Sequence, residues 1–209
     1  MRYARLLLAA AASLAVSSPA VAQMGAEMGD PTRGQELSQA CVACHGADGN
    51  STNPEWPKIA GQHASYIYKQ LQDYKSERRV NALMAGQVAN LSDQDMRDLA
   101  AFYAGQTMTT GVADEAVVTR GEQIYRGGIP AQGVAACIAC HGANGRGNPA
   151  AMFPKVAGQH ARYNNDQLGY FRSGQRANDN GRMMRNVAAR MSDSDIEAVS
   201  EYMAGLRGE

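Results

Sequence analysis

The four cysteines of the chain form two pairs, with two residues between the thiols of each pair and a histidine directly after it. These residues are Cys41, Cys44 and His45 in the first motif, and Cys137, Cys140 and His141 in the second. The C-x-x-C-H spacing is typical of c-type haem attachment. Two thiols at this spacing can each add to one vinyl group of a haem, and the histidine then lies beneath the iron as its proximal ligand. We therefore predict two covalently bound haem c groups, one at each motif.

Three other interpretations of these cysteines account for less of the pattern. A thioredoxin-like C-x-x-C motif requires a βαβ context, which the sequence does not display. A zinc site requires four ligands at finger-like spacing, and the two cysteine pairs lie about a domain apart. A disulfide would not require a histidine after each pair. Haem attachment explains all four cysteines and both histidines together.

The two motifs belong to a longer repeat that runs through the chain. The stretch 57–64, PKIAGQHA, matches 154–161, PKVAGQHA, and the other matched segments follow in the same order. Those segments are Arg79-x-Asn81 with Arg176-x-Asn178, and Leu91-Ser92-Asp93 with Met191-Ser192-Asp193. A period this long indicates two homologous domains, since solenoid repeats are about 20 to 50 residues long. Domains this short bury a marginal core, and a covalently held haem would supply the missing apolar centre.

An electron carrier needs the sixth coordination position of its iron filled, and a methionine thioether is a common ligand there. Alignment on the Leu-Ser-Asp and Met-Ser-Asp motifs places Met84 opposite Met184, in segments that we expect to be irregular because they contain Gly and Asn. Met183 is a rival for Met184, but it aligns with Leu83. The predicted iron ligands are therefore His45 with Met84, and His141 with Met184.

Residues near the motifs are candidates to support the haems. A haem-ligating histidine normally donates its second N–H to an acceptor, and the carbonyl groups of Pro57 and Pro154 are candidates for this role. Trp56 and Phe153 precede these prolines and are candidates for the wall of each haem site. The alternatives are a plain turn for the prolines and a solvent-facing position for the aromatic residues.

The remaining histidines and two arginines are also repeated. His63 and His160 could be axial ligands in bis-histidine sites, but the paired methionines favour a hydrogen-bonding role near a haem propionate or the domain interface. Arg79 and Arg176 are candidates to pair with propionates, because a guanidinium fork matches a carboxylate. The alternative for both arginines is a solvated helix end.

The periodicity predicts an all-α fold with about three main helices around the haem in each half. Helices are expected from Asp30-Pro31, over residues 64–78, and from the capping box at Ser92 in the first half. The second half repeats them from Thr119, around Leu168, and from the capping box at Ser192. Extra residues before Cys137 predict a loop there, and no period-2 strand pattern of useful length is present.

The N-terminus predicts a cleaved secretory signal peptide. Arg2 and Arg5 give a positive start, an apolar run follows, and Ala20-Val21-Ala22 is a cleavage site of the A-x-A type. The apolar run is shorter than the about 20 residues that a membrane span requires. The predicted organisation is a signal peptide over 1–22, an N-terminal domain over 23–107, a linker over 108–116 and a C-terminal domain over 117–209.

The charge of the predicted mature chain is nearly balanced. Without Arg2 and Arg5 it holds 18 basic and 20 acidic residues, a net charge of −2, which argues against nucleic-acid binding by bulk charge. Residues 23–107 hold 7 basic and 10 acidic residues, whereas residues 108–209 hold 11 basic and 10 acidic residues. We hypothesise that this asymmetry orients the protein at its partners.

Taken together, the motifs resemble the cytochrome c4 family over about residues 30–206. The resemblance rests on both C-x-x-C-H motifs, both P-K-[IV]-A-G-Q-H-A stretches and both segments from methionine to [LM]-S-D. It implies two class I cytochrome c domains in tandem, with haem propionate edges that face each other across the interface. It also implies a periplasmic location and allows peripheral association with a membrane.

The resemblance implies a function as an electron carrier and not as an enzyme. Electrons would pass from a quinol-oxidising complex or another donor, through the two haems, to a terminal oxidase. One alternative is a dihaem cytochrome subunit of a dehydrogenase complex, such as a flavin-containing sulfide dehydrogenase, because such subunits share the two-haem layout. A second is a dihaem peroxidase, which requires an open or displaceable sixth position at one iron. The paired methionines argue against the peroxidase.

Overall fold

A computed structural model describes residues 29–208, which form helices and turns, with two isolated β-bridges and no strand among them. The predicted signal peptide over 1–22 lies outside the described residues. The helices of the first half are α1 Pro31–Leu37, α2 Val42–His45, α3 Ala64–Lys75, α4 Ala82–Val88 and α5 Asp93–Ala104. Those of the second half are α6 Val118–Gly127, α7 Ile138–His141, α8 Ala161–Ser173, α9 Met183–Ala188 and α10 Asp193–Gly205. Single 3₁₀ turns cover Ser38–Ala40, Pro130–Gln132 and Asn180–Arg182.

Each half is built on three main helices, as predicted. The first and last of them pack together, α1 with α5 and α6 with α10, and the middle helix packs on the last, α3 on α5 and α8 on α10. The predicted N-terminal caps are present. The Asp30 carboxylate accepts hydrogen bonds from the first turn of α1, with Pro31 at the first helical position. Capping boxes begin α5 at Ser92 and α10 at Ser192.

A glycine lets the first and last helices of each half cross at very short range. A β-carbon on Gly34 would lie 2.1 Å from the carbonyl oxygen of Asp98, and one on Gly121 would lie 2.0 Å from that of Ala198. No side chain fits at such distances, so glycine is required by the crossing itself. The two glycines occupy the same place in the repeat, and both halves therefore use one packing geometry.

The structure corrects two of the predicted elements. The middle helix of the first half ends at Lys75 and not at Arg78, because Glu77 takes the left-handed backbone conformation with φ 59°. Met84 and Met184 lie in the first turns of the short helices α4 and α9, and not in irregular segments. Within residues 29–208, no helix combines the length and apolar character needed to span a membrane.

Candidate haem sites and the interface between them

The histidine of each C-x-x-C-H motif is oriented by a proline carbonyl group, as the sequence predicted. The Nδ1–H of His45 donates to the Pro57 oxygen at 2.9 Å, and that of His141 donates to the Pro154 oxygen at 2.9 Å. Burial lowers the pKa of both histidines, although the proline carbonyl groups oppose this shift. Both imidazoles are therefore neutral near pH 7 and keep Nε2 as the nitrogen that can bind a metal.

The cysteines have the properties of attachment sites and not of redox-active thiols. All four lie in the described range, and none is bonded to another. Burial raises the pKa of Cys41, and it raises the pKa of Cys137 to about 11. A catalytic C-x-x-C motif lowers the pKa of a cysteine, so these shifts argue against thioredoxin-like chemistry. Cys41 and Cys137 each pack on the apolar core of their own half.

Exposure separates the aligned methionines from their neighbours. Met84 and Met184 are half-buried, whereas the preceding Leu83 and Met183 are 63% and 40% exposed. Met184 also packs against the same apolar cluster as Cys137. The side chain of Met183 therefore shares the outward position of Leu83, which favours Met184 over its rival as the inward thioether.

Two interlocked glutamine contacts join the halves, and a pseudo-twofold axis relates them. Gln159 accepts from the backbone N–H of Lys58 at 2.9 Å and donates to its carbonyl group at 2.7 Å. Gln62 makes the same two contacts with Lys155, each at 2.9 Å. The side chains repeat in sequence, so each half supplies a glutamine to the other. The Lys58 ammonium adds hydrogen bonds to the carbonyl groups of Thr109 and Gly158.

The two remaining histidines also cross this interface. The Nε2–H of His63 donates to the carbonyl oxygen of Arg146 at 2.7 Å, and that of His160 donates to the carbonyl oxygen of Ser51 at 2.9 Å. Burial lowers the pKa of both imidazoles. Their Nε2 atoms are thus engaged with backbone of the opposite half, which favours the interface role over the bis-histidine alternative.

A second symmetric contact, here called the arginine cluster, places two guanidinium groups in the interface. It consists of Arg79, Gln70 and Tyr66 from the first half and Arg176, Gln167 and Tyr163 from the second. Arg79 donates to Tyr163 at 2.9 Å and to Gln167 at 2.8 Å, and Arg176 donates to Tyr66 at 2.9 Å and to Gln70 at 3.1 Å. Neither arginine is a solvated helix end, since Arg79 is 8% exposed and Arg176 is 7% exposed.

The arginine cluster carries positive charge without a carboxylate in direct contact. Within the described residues, the two guanidinium groups donate to neutral amide and hydroxyl oxygens. Burial opposes the charge on Arg79, but the surrounding phenols, Tyr163 first among them, raise its pKa above the ordinary value. Buried cations normally have an anionic partner, and the carboxylates of haem propionates match this requirement.

The residues present thus fit a haem in each half. Each half offers two thiols in the attachment spacing, a neutral histidine with an oriented ring, and a half-buried methionine from a separate helix. Trp56 and Phe153 are both half-buried beside the prolines that orient the histidines. Two helical domains with these features define the class of protein as a dihaem c-type cytochrome, with haem c as the cofactor in both domains.

Comparisons with known proteins support this class and indicate the family within it. The family model for cytochrome c matches residues 31–105 and again residues 118–207. A cytochrome c4 from Thiocapsa roseopersicina is 50% identical over 182 residues, which cover 86% of this chain and 94% of that protein. The crystal structure of reduced recombinant cytochrome c4 from Pseudomonas stutzeri superposes with a TM-score of 0.84 at 46% identity, covering 86% of this chain and 100% of the other.

A third relative is named for the enzyme from which it accepts electrons. A thiosulfate dehydrogenase electron acceptor from Stutzerimonas stutzeri is 36% identical over 203 residues, covering 95% of this chain and 94% of that protein. The chain belongs to the cytochrome c4 family, and its function is electron transfer.

Most residues of the interface were not predicted from the sequence. The arginines and histidines were candidates for a role there or at the propionates, whereas Gln62, Gln159, and the tyrosines and glutamines of the arginine cluster were not. A signal was available, because these polar residues recur at a constant offset of 97 positions. Polar identity that is kept between two repeats, where the apolar residues vary, indicates a contact between the repeats themselves.

Proposed function

We propose that this protein is a periplasmic carrier of single electrons, with His45 and Met84 as axial ligands of one iron and His141 and Met184 as those of the other. The observation that carries the proposal is the half-buried methionine at the same place in each repeat, beside a more exposed apolar neighbour. A thioether at both sixth positions leaves neither iron open to peroxide, which argues for a carrier and against a peroxidase.

The chain's own residues would hold each redox centre rigidly. The haem iron supplies a one-electron couple when it is bound. Pro57 and Pro154 fix the ring orientation of the proximal histidines, and a carbonyl group that accepts the Nδ1–H increases the basicity of a ligating imidazole. The buried arginine cluster would offset propionate charge between the two centres. When the structure around an iron changes little between its two charge states, the reorganisation energy of electron transfer is small and the transfer is fast.

An optical spectrum of the periplasmically expressed protein, with haem quantified per chain, tests this proposal first. We expect two haems per chain and, in the oxidised form, the weak long-wavelength band of methionine–iron bonding. Met84→Ala and Met184→Ala should each remove part of that band, and Met183→Ala should leave it intact. Full band intensity in either of the first two variants would refute that ligand assignment. Peroxide turnover by the unsubstituted protein would favour the enzyme.

The donor and acceptor are proposed from the family as a quinol-oxidising complex and a terminal oxidase. A second candidate is electron uptake from a thiosulfate-oxidising dehydrogenase, which is favoured by the relative described as the electron acceptor of such an enzyme. The two can be separated by stopped-flow reduction with each purified donor, followed by oxidation with membranes that contain an oxidase. Fast reduction by the dehydrogenase together with slow reduction by the quinol-oxidising complex would replace the first candidate with the second.

A further inference from the structure

The segment that leads to the second methionine differs from its counterpart in length and backbone conformation. Three more residues separate Arg176 from Met184 than separate Arg79 from Met84. Within this longer segment, Gly181 and Arg182 both have left-handed backbone, with φ 58° and 59°. A residue with a β-carbon persists in that conformation only where surrounding contacts hold it. The segment before Met184 is anchored locally by Asp179, which accepts hydrogen bonds from the backbone N–H and the Nε–H of Arg185, and further anchors lie outside the segment.

One of these anchors is Asn178, and its partners belong to the other half of the molecule. The side-chain N–H groups of Asn178 donate to Asp73 at 2.7 Å and to Gln70 at 2.9 Å. Its backbone carbonyl group accepts from the Lys69 ammonium at 2.8 Å. All three partners lie on α3 of the N-terminal half, so α3 holds the start of the segment that carries Met184.

Asp73, which accepts this hydrogen bond, is buried and held in place by ion pairs. Its side chain is 2% exposed, and its carboxylate pairs with Lys69 and, at 2.9 Å, with Nε of Arg78. These two ion pairs restrict the position of the buried carboxylate. A hydrogen bond to a charged acceptor is stronger than one between neutral groups, so Asn178 is bound more tightly than by Gln70 alone.

The segment that leads to Met84 is bound to the C-terminal half through Arg79, but among the described residues its Asn81 makes no contact equivalent to that of Asn178. The repeat places Tyr170, which is 38% exposed, where the first half has Asp73. Asp166 replaces Lys69 and pairs with Arg162, which lies on its own helix. Asn81, the counterpart of Asn178, caps α4 in its own half by accepting from the backbone N–H of Met84 at 3.0 Å.

From this asymmetry we infer that Asp73 and Asn178 are positioning residues for Met184, so that the N-terminal domain controls methionine ligation in the C-terminal domain and not the reverse. This inference rests on the proposed assignment of Met84 and Met184 as axial ligands. It predicts that a substitution in the first domain alters the second haem while the first haem stays unchanged.

The experiment uses the full-length protein with both haems. In the reduced state, each ligating methionine gives its own ring-current-shifted methyl signal in the NMR spectrum, and Met84→His and Met184→His assign the two signals. In the oxidised state, the rate at which cyanide displaces each methionine reports how firmly it is held. We expect Asp73→Asn to shift the Met184 signal and to accelerate cyanide binding at the C-terminal haem about tenfold, as for loss of a hydrogen bond to a charged group.

Matched variants separate this contact from a general loosening of the interface. Tyr170→Ala, at the position equivalent to Asp73, should change neither rate, and Arg78→Ala should have little effect because that ion pair is exposed on one side. Asn81→Ala should accelerate cyanide binding at the N-terminal haem alone. Asn178→Ala removes the contact with Asp73 while the ion pairs of Asp73 remain, and it also removes the acceptor of the Arg176 Nε–H. It is the second variant to use if Asp73→Asn folds poorly.

The outcomes distinguish this inference from the proposed function. Acceleration at the C-terminal haem alone supports the inference. Equal acceleration at both haems, or unchanged rates in Asp73→Asn and Asn178→Ala, would overturn it while the ligand assignment stands. Absence of the Met184 methyl signal from the unsubstituted protein would refute the ligand assignment and, with it, the inference.

Discussion

The two halves of the molecule share one haem-binding plan but differ in what surrounds the methionine that we propose as the sixth ligand. In the first half, residues 82–90 contain no charged residue, and Asn81 caps α4 within its own domain. In the second half, residues 182–190 carry three arginines, and the segment before α9 is longer. The residues that we propose to bind haem are thus duplicated, while the surface around the methionine differs between the two halves.

This difference shows which parts of a duplicated domain are free to diverge. The helix crossings, the proline carbonyl groups and the capping boxes are retained in both halves because each is needed to fold a haem-binding domain. The segment before Met184 contacts the other half through Asn178, whereas Asn81 caps a helix of its own half, so the two segments do not meet the same structural requirement. The following predictions test the shared plan first and the individual surfaces last.

The largest expected effect is loss of a helix crossing. Gly34→Val and Gly121→Val should each destabilise their own domain by ~3 kcal/mol or more, because the new side chain would overlap backbone atoms that cannot move apart. Thermal unfolding followed at the haem absorption bands measures this. Gly86→Ala and Gly169→Ala are the controls, since both glycines are helical with open space around them, and alanine there should be neutral or stabilising by up to about 1 kcal/mol. Tolerance of valine at either crossing would contradict the shared packing.

The arginine cluster should respond equally from both sides. Arg79→Gln and Arg176→Gln each remove hydrogen bonds from a buried guanidinium to the opposite half, and we expect each to cost about 2 kcal/mol of unfolding free energy. Denaturant melts of the two variants give the comparison, with Arg162→Gln as a surface control. If one substitution were neutral and the other costly, the pseudo-twofold symmetry of the cluster would not extend to its energetics.

The capping boxes should contribute equally in the two halves. Ser92→Ala and Ser192→Ala should each cost ~1 kcal/mol of stability. In the first box, hydrogen bonds from the Ser92 hydroxyl and backbone, together with one from Arg33, lower the pKa of Asp95 to about 2. A lowered pKa stabilises the fold above the unfolded value, near 3.9, and this contribution is lost as the pH falls towards 2.

The pH dependence of the cap can be measured by comparing the parent with Asp95→Asn. Their difference in unfolding free energy should be constant near neutral pH and should shrink as the pH falls from about 4 towards 2. The pKa of Asp195 is also lowered, since hydrogen bonds from Arg120 and Ser192 outweigh the opposing effect of burial. The difference in unfolding free energy between the parent and Asp195→Asn should therefore also shrink as the pH falls. If either difference grew in acid, the lowered pKa of that aspartate would be contradicted.

The smallest effect concerns partner docking. Combined Arg182→Gln and Arg190→Gln should slow electron transfer with an acidic redox protein on the order of threefold at low salt, because surface charge steers association. The effect should vanish at high salt, where such charges are screened. Stopped-flow rates across a salt series measure it, and a basic partner serves as the control. Identical rates for parent and variant with every partner would remove the hypothesis of charge-directed docking.

Much of each haem site was predictable from residue types and spacing. The C-x-x-C-H motifs act through local geometry, so adjacent residues suffice to identify them. The proline carbonyl groups followed from the repeat, because two copies of one domain identify the positions that both retain. The same alignment leads to the proposal that Met84 and Met184 are ligands. The helical form of the segments at Met84 and Met184 was not predicted, since a helix of six or seven residues has too few turns to show a period.

The sequence by itself determined the cofactor class, the number of domains and their helical character, because these depend on covalent motifs and on periodicities within short stretches. Only the tertiary structure decided the interface. It showed that Arg79 and Arg176 are buried, that His63 and His160 bind the opposite backbone, and that Asp73 reaches Asn178. These contacts join residues roughly a domain apart in the chain, and their geometry depends on how two folded surfaces meet.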